Sequence, residues 1–203
     1  MGFMYAHIDK KLDELIKTLP EGTEGYITPE QAEFMFAFIR LTKPRVVAET
    51  GFNVGHSALV IMRAMETYGG GTLLSFDLGR YAETAGAAEK VKGYYENFNI
   101  IYGDSKQTLS TTLAQALSSN PAATLDLGVV DGGHDVETAR HDLLVMESVV
   151  KPGGFLWLDD FENANCINVG VNIVGREFAT ARAHCHRFLT SEHRGMMIYQ
   201  KGF

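Results

Sequence analysis

Residues 46–57 have the sequence VVAETGFNVGHS, in which a short apolar run is followed by a glycine turn and by the start of a helix. In an open parallel sheet the ligand lies beyond the carboxyl ends of the strands, and glycine lets the backbone approach it because glycine has no Cβ. Gly51 and Gly55 lie in this turn, and a helix is predicted over 57–68. The first amide groups of that helix favour an anion, whereas Glu49 supplies the opposite charge. The stretch therefore predicts a ligand site at the end of the first strand.

A second acidic residue, Asp77, ends the next apolar run over 71–77. A carboxylate at this position can accept both hydroxyls of a ribose, which indicates a nucleoside cofactor. The spacing from Gly51 to Gly55 lacks the further glycine of the dinucleotide motif, so a pyrophosphate is not favoured. Glu49 beside the turn instead suits a ligand with a cationic group, such as the sulfonium of S-adenosylmethionine. A strand-to-helix turn without any ligand is the alternative interpretation of this short motif.

The composition limits the classes of protein. The chain has 203 residues, of which 45% are hydrophobic, and a formal net charge of -7, so we expect one globular domain. The acidic balance without a Lys/Arg cluster argues against nucleic acid as a partner. No apolar run has membrane-spanning length and no signal-peptide pattern precedes residues 9–11, so we expect a cytoplasmic protein without a membrane partner. Cys166 and Cys185 are expected to be reduced and packed.

Helical and strand patterns alternate along the chain. After the first strand, the predicted strands are 71–77, 99–102, 125–131 and 154–160, and the predicted helices are 7–19, 28–42, 57–68, 81–96, 105–119, 136–150 and 164–178. The chain ends with two strand-like runs, 182–190 and 195–201, which predict an antiparallel pair because no helix separates them. The fold class is therefore α/β, with a doubly wound sheet and helices on both of its faces.

These residues carry a family resemblance. Residues 28–201 resemble the class I S-adenosylmethionine-dependent methyltransferases. Residues 28–34 (TPEQAEF) and 46–51 (VVAETG) are similar to the start of the catechol and caffeoyl-coenzyme A O-methyltransferases. Residues 130–135 (VDGGHD) and 150–154 (VKPGG) are similar to a bacterial group of small-molecule and sugar O-methyltransferases. The resemblance implies a Rossmann-like sheet of seven mostly parallel strands in the order 3-2-1-4-5-7-6, with the seventh strand antiparallel.

The resemblance also implies a cofactor site. The residues expected to bind S-adenosyl-L-methionine are Glu49, Gly51, Asn53, Gly55, Ser57, Asp77, Asp104, Ser105 and Asp131. Glu49 and the glycines correspond to the methionine part of the cofactor, and Asp77 corresponds to the ribose. Asp104 and Ser105 fall where the family contacts the adenine, but a short polar pair at a helix start is also a common N-cap, so both interpretations stay open.

Three carboxylates follow two neighbouring strands. Asp131, Asp159 and Asp160 should emerge side by side at the ligand edge of the sheet. Hard oxygen donors fit Mg²⁺, or another divalent cation such as Ca²⁺, better than Zn²⁺. In the resembling O-methyltransferases such an ion binds the acceptor hydroxyl, although the catechol type has Asp-Asn where this chain has Asp159 and Asp160. Neighbouring residues of a strand point to opposite faces, which allows only one of this pair to reach the ion. As an alternative, Asp131 and Asp160 cap helices or bind the cofactor.

His134 lies three residues after Asp131 in a glycine-containing loop. Histidine titrates near neutrality, so His134 is the expected general base for a hydroxyl, with Asp131 as the second catalytic residue. A solvent-facing histidine at a helix start is the alternative.

The expected function is S-adenosylmethionine-dependent O-methylation of a small-molecule hydroxyl, with assistance from a divalent metal as an option. Helices within residues 1–43 would cover the substrate or an oligomer contact, and residues 44–203 would form the cofactor-binding core. Either the acceptor is large or a second subunit covers the site, so a homodimer is one of two alternatives. Two other functions stay open: a nicotinamide-dependent oxidoreductase and a non-catalytic module that binds S-adenosylmethionine.

Overall fold

The computed structural model describes residues 5–20, 27–118, 124–162, 168–190 and 194–203. The strands are β1 (Val46–Thr50), β2 (Thr72–Asp77), β3 (Phe98–Tyr102), β4 (Leu125–Val130), β5 (Val150–Asp159), β6 (Cys185–Leu189) and β7 (Gly195–Gln200). The helices are α1 (Lys10–Ile16), α2 (Pro29–Thr42), α3 (His56–Glu66), α4 (Thr84–Tyr94), α5 (Ser105–Ser118), α6 (Val136–Val149) and α7 (Val169–Ala181).

The strands form one sheet in the order β3-β2-β1-β4-β5-β7-β6. β1 lies between β2 and β4 and is parallel to both, whereas β7 is antiparallel to β5 and to β6. The α/β fold class, the seven strands and the antiparallel end of the sheet are therefore confirmed. Thr50 at the end of β1 pairs with Phe76 and with Val130, so the residues that follow β1, β2 and β4 meet at one edge.

Apolar side chains bury both faces of the sheet. One cluster includes residues of α1 to α4, namely Leu12, Met35, Leu59 and Val91, and the other includes residues of α5 to α7, namely Leu109, Leu143 and Val174. Burial of one such side chain stabilises the fold by about 1.5–3 kcal/mol. The first two helices thus share a core with the strands that hold the ligand edge.

Several elements are shorter than the sequence predicts, and the reason is visible for α1 and β6. Helix α1 begins at Lys10 because the Asp9 carboxylate accepts a hydrogen bond from the Leu12 amide (2.8 Å) and caps the helix there. Strand β6 begins only after His184, whose φ of 64° lies in the left-handed region and breaks the extended backbone.

The helix predicted over 164–178 is observed as α7, which begins and ends later in the chain. Residues 163–167 lie outside the described residues, and with them the prediction for Cys166. Cys185 is a free, half-buried thiol. Among the described helices, none combines the length and the apolar character needed to cross a membrane.

Candidate active site

A cleft of about 890 Å³ lies at the carboxyl edge of the sheet. Residues that follow four parallel strands line it: Gly51 after β1, Asp77 at the end of β2, Asp104 after β3 and Asp131 after β4. This volume is within the range of small-molecule and cofactor sites. The sheet edge that the sequence singled out is therefore also the edge with a ligand-sized cleft.

Glu49 lies near the end of β1 and is 1% exposed. Its carboxylate accepts hydrogen bonds from Oγ of Ser75 (2.5 Å) and Oγ of Ser57 (3.1 Å). Burial raises the pKa of Glu49 to about 7, the charge of Asp77 acts in the same direction, and the two serine hydroxyls act against it. In the described part of the chain no cationic side chain pairs with Glu49, so a bound cation would relieve the cost of burying its charge.

The turn after β1 needs glycine for two separate reasons. Gly51 and Gly55 have φ values of 89° and 86°, which L side chains rarely adopt. A Cβ on Gly51 would lie 1.9 Å from the carbonyl oxygen of Asp131, and a Cβ on Gly55 would lie 2.6 Å from the Phe52 ring. Both glycines are therefore required by close contacts within the protein itself, and not only by the approach of a ligand.

Asp77 accepts hydrogen bonds from the amides of Asn53 (2.9 Å) and Gly79 (2.7 Å), one on each carboxylate oxygen. The backbone amide of Asn53, a predicted cofactor residue, therefore ties the β1 turn to the end of β2. An ionised carboxylate has about four lone-pair positions, so Asp77 retains acceptor sites for two hydroxyls.

Asp104 and Ser105 form the start of α5. The Asp104 carboxylate accepts from the Lys106 amide (3.0 Å), and its carbonyl accepts from the Thr108 amide (3.0 Å), as at an N-cap. Both Asp104 and Ser105 also line the cleft. The structure thus shows the capping contact, and the contact with adenine stays a prediction.

A group of three side chains lies where β4 and β5 end. Ligand atoms of Asp131, His134 and Asp160 all lie within 4.8 Å of one another. Nε2 of His134 is 3.2 Å from Oδ2 of Asp160. Burial, followed by the charges of Asp159 and Asp160, raises the pKa of Asp131 well above its usual range, and Arg194 partly offsets this effect.

Asp159 does not join this group, which differs from the expected set of three carboxylates. Its two oxygens accept from Nε2 of Gln31 at 3.0 and 3.3 Å. Asp159 is the last residue of β5, and Asp160 follows the strand with a φ of 56°. The third position in the group is taken by His134.

Sequence reasoning missed two polar residues beside this group. Arg194 lines the cleft, and its Nη1 lies 3.4 Å from Oδ1 of Asp160. The antiparallel pairing of Met196 with Asp159 brings the start of β7 to this edge, so the predicted hairpin contained the signal for Arg194. Gln31 belongs to the predicted capping box of α2, but no local pattern links it to a strand 128 residues away.

The donor sets fit the two expected ligands. Two carboxylates and an imidazole are ligands for a divalent cation, and the imidazole extends the choice from Mg²⁺ towards Mn²⁺ and Fe²⁺. Buried Glu49 and the anchored Asp77 fit a ligand that carries a cation and a ribose.

Comparisons with known proteins place this geometry in a family. A family described as methyltransferase domain matches residues 48–161, which is more than half of the chain. No curated protein matches the sequence significantly.

Several solved structures share the fold. The O-methyltransferase TomG from Streptomyces achromogenes, involved in tomaymycin synthesis and solved in complex with S-adenosylmethionine (SAM), has a TM-score of 0.71 at 18% identity over 96% of this chain and 91% of that one. An O-methyltransferase from Bacillus cereus in complex with S-adenosylhomocysteine (SAH) has a TM-score of 0.68 at 16% identity over 95% and 91%. An SAH-bound methyltransferase from Podospora anserina has a TM-score of 0.64 at 14% identity over 99% and 98%. The chain therefore belongs to the methyltransferase-domain family, and the expected enzyme class, a methyltransferase, and the expected Rossmann-like sheet are confirmed.

Proposed function

We propose that this methyltransferase uses SAM to methylate a hydroxyl group of a small molecule. The observation that carries the proposal is the buried Glu49 near the end of β1, whose hydrogen-bond partner Ser57 lines the same cleft as Asp77 of β2. Two of the similar structures are described as O-methyltransferases, which supports oxygen as the acceptor atom.

The roles of the residues around the cofactor follow from their contacts. Asp77 is fixed by two amides and accepts the ribose hydroxyls, while Glu49 provides the negative charge for the amino group of the methionine part. Asp104 and Ser105 lie at the part of the cleft where the adenine is expected. When bound, SAM supplies an electrophilic methyl group on its sulfonium.

The acceptor hydroxyl is proposed to lie at Asp131, His134 and Asp160. Nε2 of His134 is paired with Asp160, which leaves Nδ1 to accept the proton of the hydroxyl. Asp160 orients the imidazole through this contact. Most of the remaining rate enhancement is expected from positioning of the acceptor in the cleft.

Assistance by a divalent cation is part of the proposal. Asp131 and Asp160 would hold it, with His134 in reach of the same position. When bound, the cation supplies a Lewis acid that lowers the pKa of the acceptor hydroxyl. The residues 1–43 are proposed to cover the acceptor side, since Ile27 next to α2 lines the cleft. A cytoplasmic location and a homodimer remain expectations.

Calorimetric titration tests the function directly. The protein should bind SAM and SAH but not NAD, and thermal unfolding should shift in parallel, because a ligand at a hundred times its dissociation constant adds about 2.7 kcal/mol. Mass spectrometry of reactions with phenols, catechols and sugars should then show a product that has gained one methyl group. Binding of NAD alone would favour an oxidoreductase. Binding of SAM without transfer to any acceptor would favour a non-catalytic module.

A further inference from the structure

We propose that Gln31 is a positioning residue that holds the Asp159 carboxylate outside the group of Asp131, His134 and Asp160. Gln31 thereby sets how many carboxylates a cation at that group can meet. The inference rests on the cation-assisted form of the proposed function.

Gln31 connects the start of α2 with the end of β5. Its side chain is buried, and Oε1 accepts from the amide of Thr28 (3.1 Å) as the reciprocal half of the α2 capping box. Nε2 donates to both oxygens of Asp159, at 3.0 and 3.3 Å. The oxygen of the Gln31 side-chain amide thus caps α2, and its nitrogen bonds the end of β5.

The capping box alone does not explain why residue 31 is glutamine. Glutamate at this position of a capping box accepts the same hydrogen bond. It has no hydrogen to donate when ionised, and it would place a second negative charge against Asp159. The amide is therefore required by Asp159 and not by the helix.

Release of Asp159 would change the cation site. Asp159 directly precedes Asp160, and its charge acts on Asp131, so the three carboxylates are within electrostatic reach of one another. Without the Gln31 contact, fewer hydrogen bonds hold the Asp159 carboxylate, and its rotation towards Asp131 would add a third carboxylate to the two already present. More carboxylate ligands bind a divalent cation more tightly but leave fewer positions for an acceptor oxygen.

Two substitutions separate the tether from the cap. Gln31→Met keeps the length of the side chain and removes the donor, and Gln31→Glu keeps the cap acceptor while it removes the donor. The full chain of each variant is titrated calorimetrically with Mn²⁺ at one pH. We expect Gln31→Met to tighten Mn²⁺ binding at least about fivefold and Gln31→Glu to tighten it at least as much, since one further carboxylate joins the site.

Thr28→Ala is the matched control. It removes the hydroxyl that accepts from the Gln31 amide but leaves the contact between Gln31 and Asp159, so Mn²⁺ affinity should stay within about twofold of the wild type. An equal effect of Thr28→Ala and Gln31→Met would assign the change to the helix cap and overturn the proposal. So would an unchanged Mn²⁺ affinity in a folded Gln31→Met protein.

Thermal unfolding provides a second measurement that does not involve a cation. In a cycle of Gln31→Met, Asp159→Leu and the double variant, the changes in unfolding temperature should not add, because each single change removes one partner of the same contact. Simple additivity would show that Gln31 does not hold Asp159. Absence of Mn²⁺ binding by the wild type would overturn both the inference and cation assistance, while SAM binding by the same protein still tests methyl transfer separately.

Discussion

Burial of the ionised Glu49 carboxylate destabilises the free protein, and a cationic ligand would reduce this destabilisation. Its pKa is raised from 4.5 to about 7 by burial, so between these pH values the folded chain binds more protons than the unfolded chain. Stability from this residue therefore falls as the pH rises from 4.5 to 7, by roughly 3 kcal/mol in total, and the loss persists above pH 7. A ligand that brings an ammonium or sulfonium to Glu49 recovers part of this energy.

Glu49→Gln should thus stabilise the free protein while it weakens cofactor binding. The amide retains the shape of the side chain and removes the buried charge, so we expect a higher unfolding temperature than wild type at pH 8 and a similar one at pH 4.5. SAM affinity should fall about tenfold or more because a charge-assisted contact is lost. Calorimetry of both proteins at the two pH values, with and without SAM, measures both effects. A lower unfolding temperature at pH 8 would contradict this interpretation of Glu49.

His134→Gln distinguishes a base from a metal ligand. As the base, His134 accepts a proton at Nδ1, so its loss should lower kcat about a hundredfold and leave the dissociation constants of SAM and Mn²⁺ near wild type. Stopped assays with any accepted phenol and parallel titrations give the three values. If Mn²⁺ affinity disappears together with activity, His134 binds the cation instead.

The residues that could be predicted share one property: they lie at or next to the ends of strands that the hydrophobic pattern already indicates. Asp77 ends β2 and Asp131 follows β4, and both line the cleft, whereas Glu49 is buried one residue before the end of β1 and its partner Ser57 lines the cleft. The contact between Gln31 and Asp159 could not be predicted, because it joins residues 128 apart and depends on the packing of α2. Asp160 meets His134 while Asp159 bonds Gln31, and the sequence, in which the two aspartates are adjacent, did not distinguish them.

At the scale of elements, the junction of β1 and β4 depends on Gly51. A Cβ at this residue would meet the Asp131 carbonyl at 1.9 Å, and φ is 89°, so Gly51→Ala combines a clash with backbone strain. We expect a loss of about 3 kcal/mol in stability and weaker SAM binding, measured by urea unfolding and calorimetry.

Gly86 provides the control for this substitution. It lies in α4 with nothing within 4 Å of a Cβ, so Gly86→Ala should be neutral or stabilise the helix by up to about 1 kcal/mol. Similar losses for the two variants would show that the β1 turn has no special need for glycine.

The order of helices and strands could be predicted because apolar residues recur with different periods in the two kinds of element. The residues at which the elements begin and end were predicted less accurately. The β6 prediction began too early because His184 adopts a left-handed φ that is uncommon for a residue other than glycine. The α1 prediction began too early because the cap at Asp9 determines where the helix begins. Local conformations of single polar residues thus set the boundaries that periodicity leaves open.

At the scale of the whole molecule, the N-terminal helices belong to the main core. The apolar side chains buried there include Leu12, Ile16, Ala32, Met35, Phe36 and Ile39. At about 1.5–3 kcal/mol for each larger side chain, their burial is comparable to the entire stability of a typical domain, about 5–15 kcal/mol. The proposed division at residue 43 is therefore not expected to separate folding units.

A chain of residues 44–203 should accordingly fail to fold on its own. In the full chain Trp157, the only tryptophan of the sequence, is 0% exposed, and its ring centre lies 5.5 Å from that of Phe34 in α2. Deletion of α1 and α2 should expose it. Tryptophan emission should shift to the red and near-ultraviolet circular dichroism should be lost relative to the full chain. A folded 44–203 fragment that binds SAM would instead show that the ligand edge is stable without its N-terminal cover.

Two substitutions within the full chain test the same burial. Ile39→Ala, at a buried position, should lower the free energy of unfolding by about 2–5 kcal/mol. Leu41→Ala, at a position 82% exposed, should change it by less than about 0.5 kcal/mol, because little apolar surface is buried there.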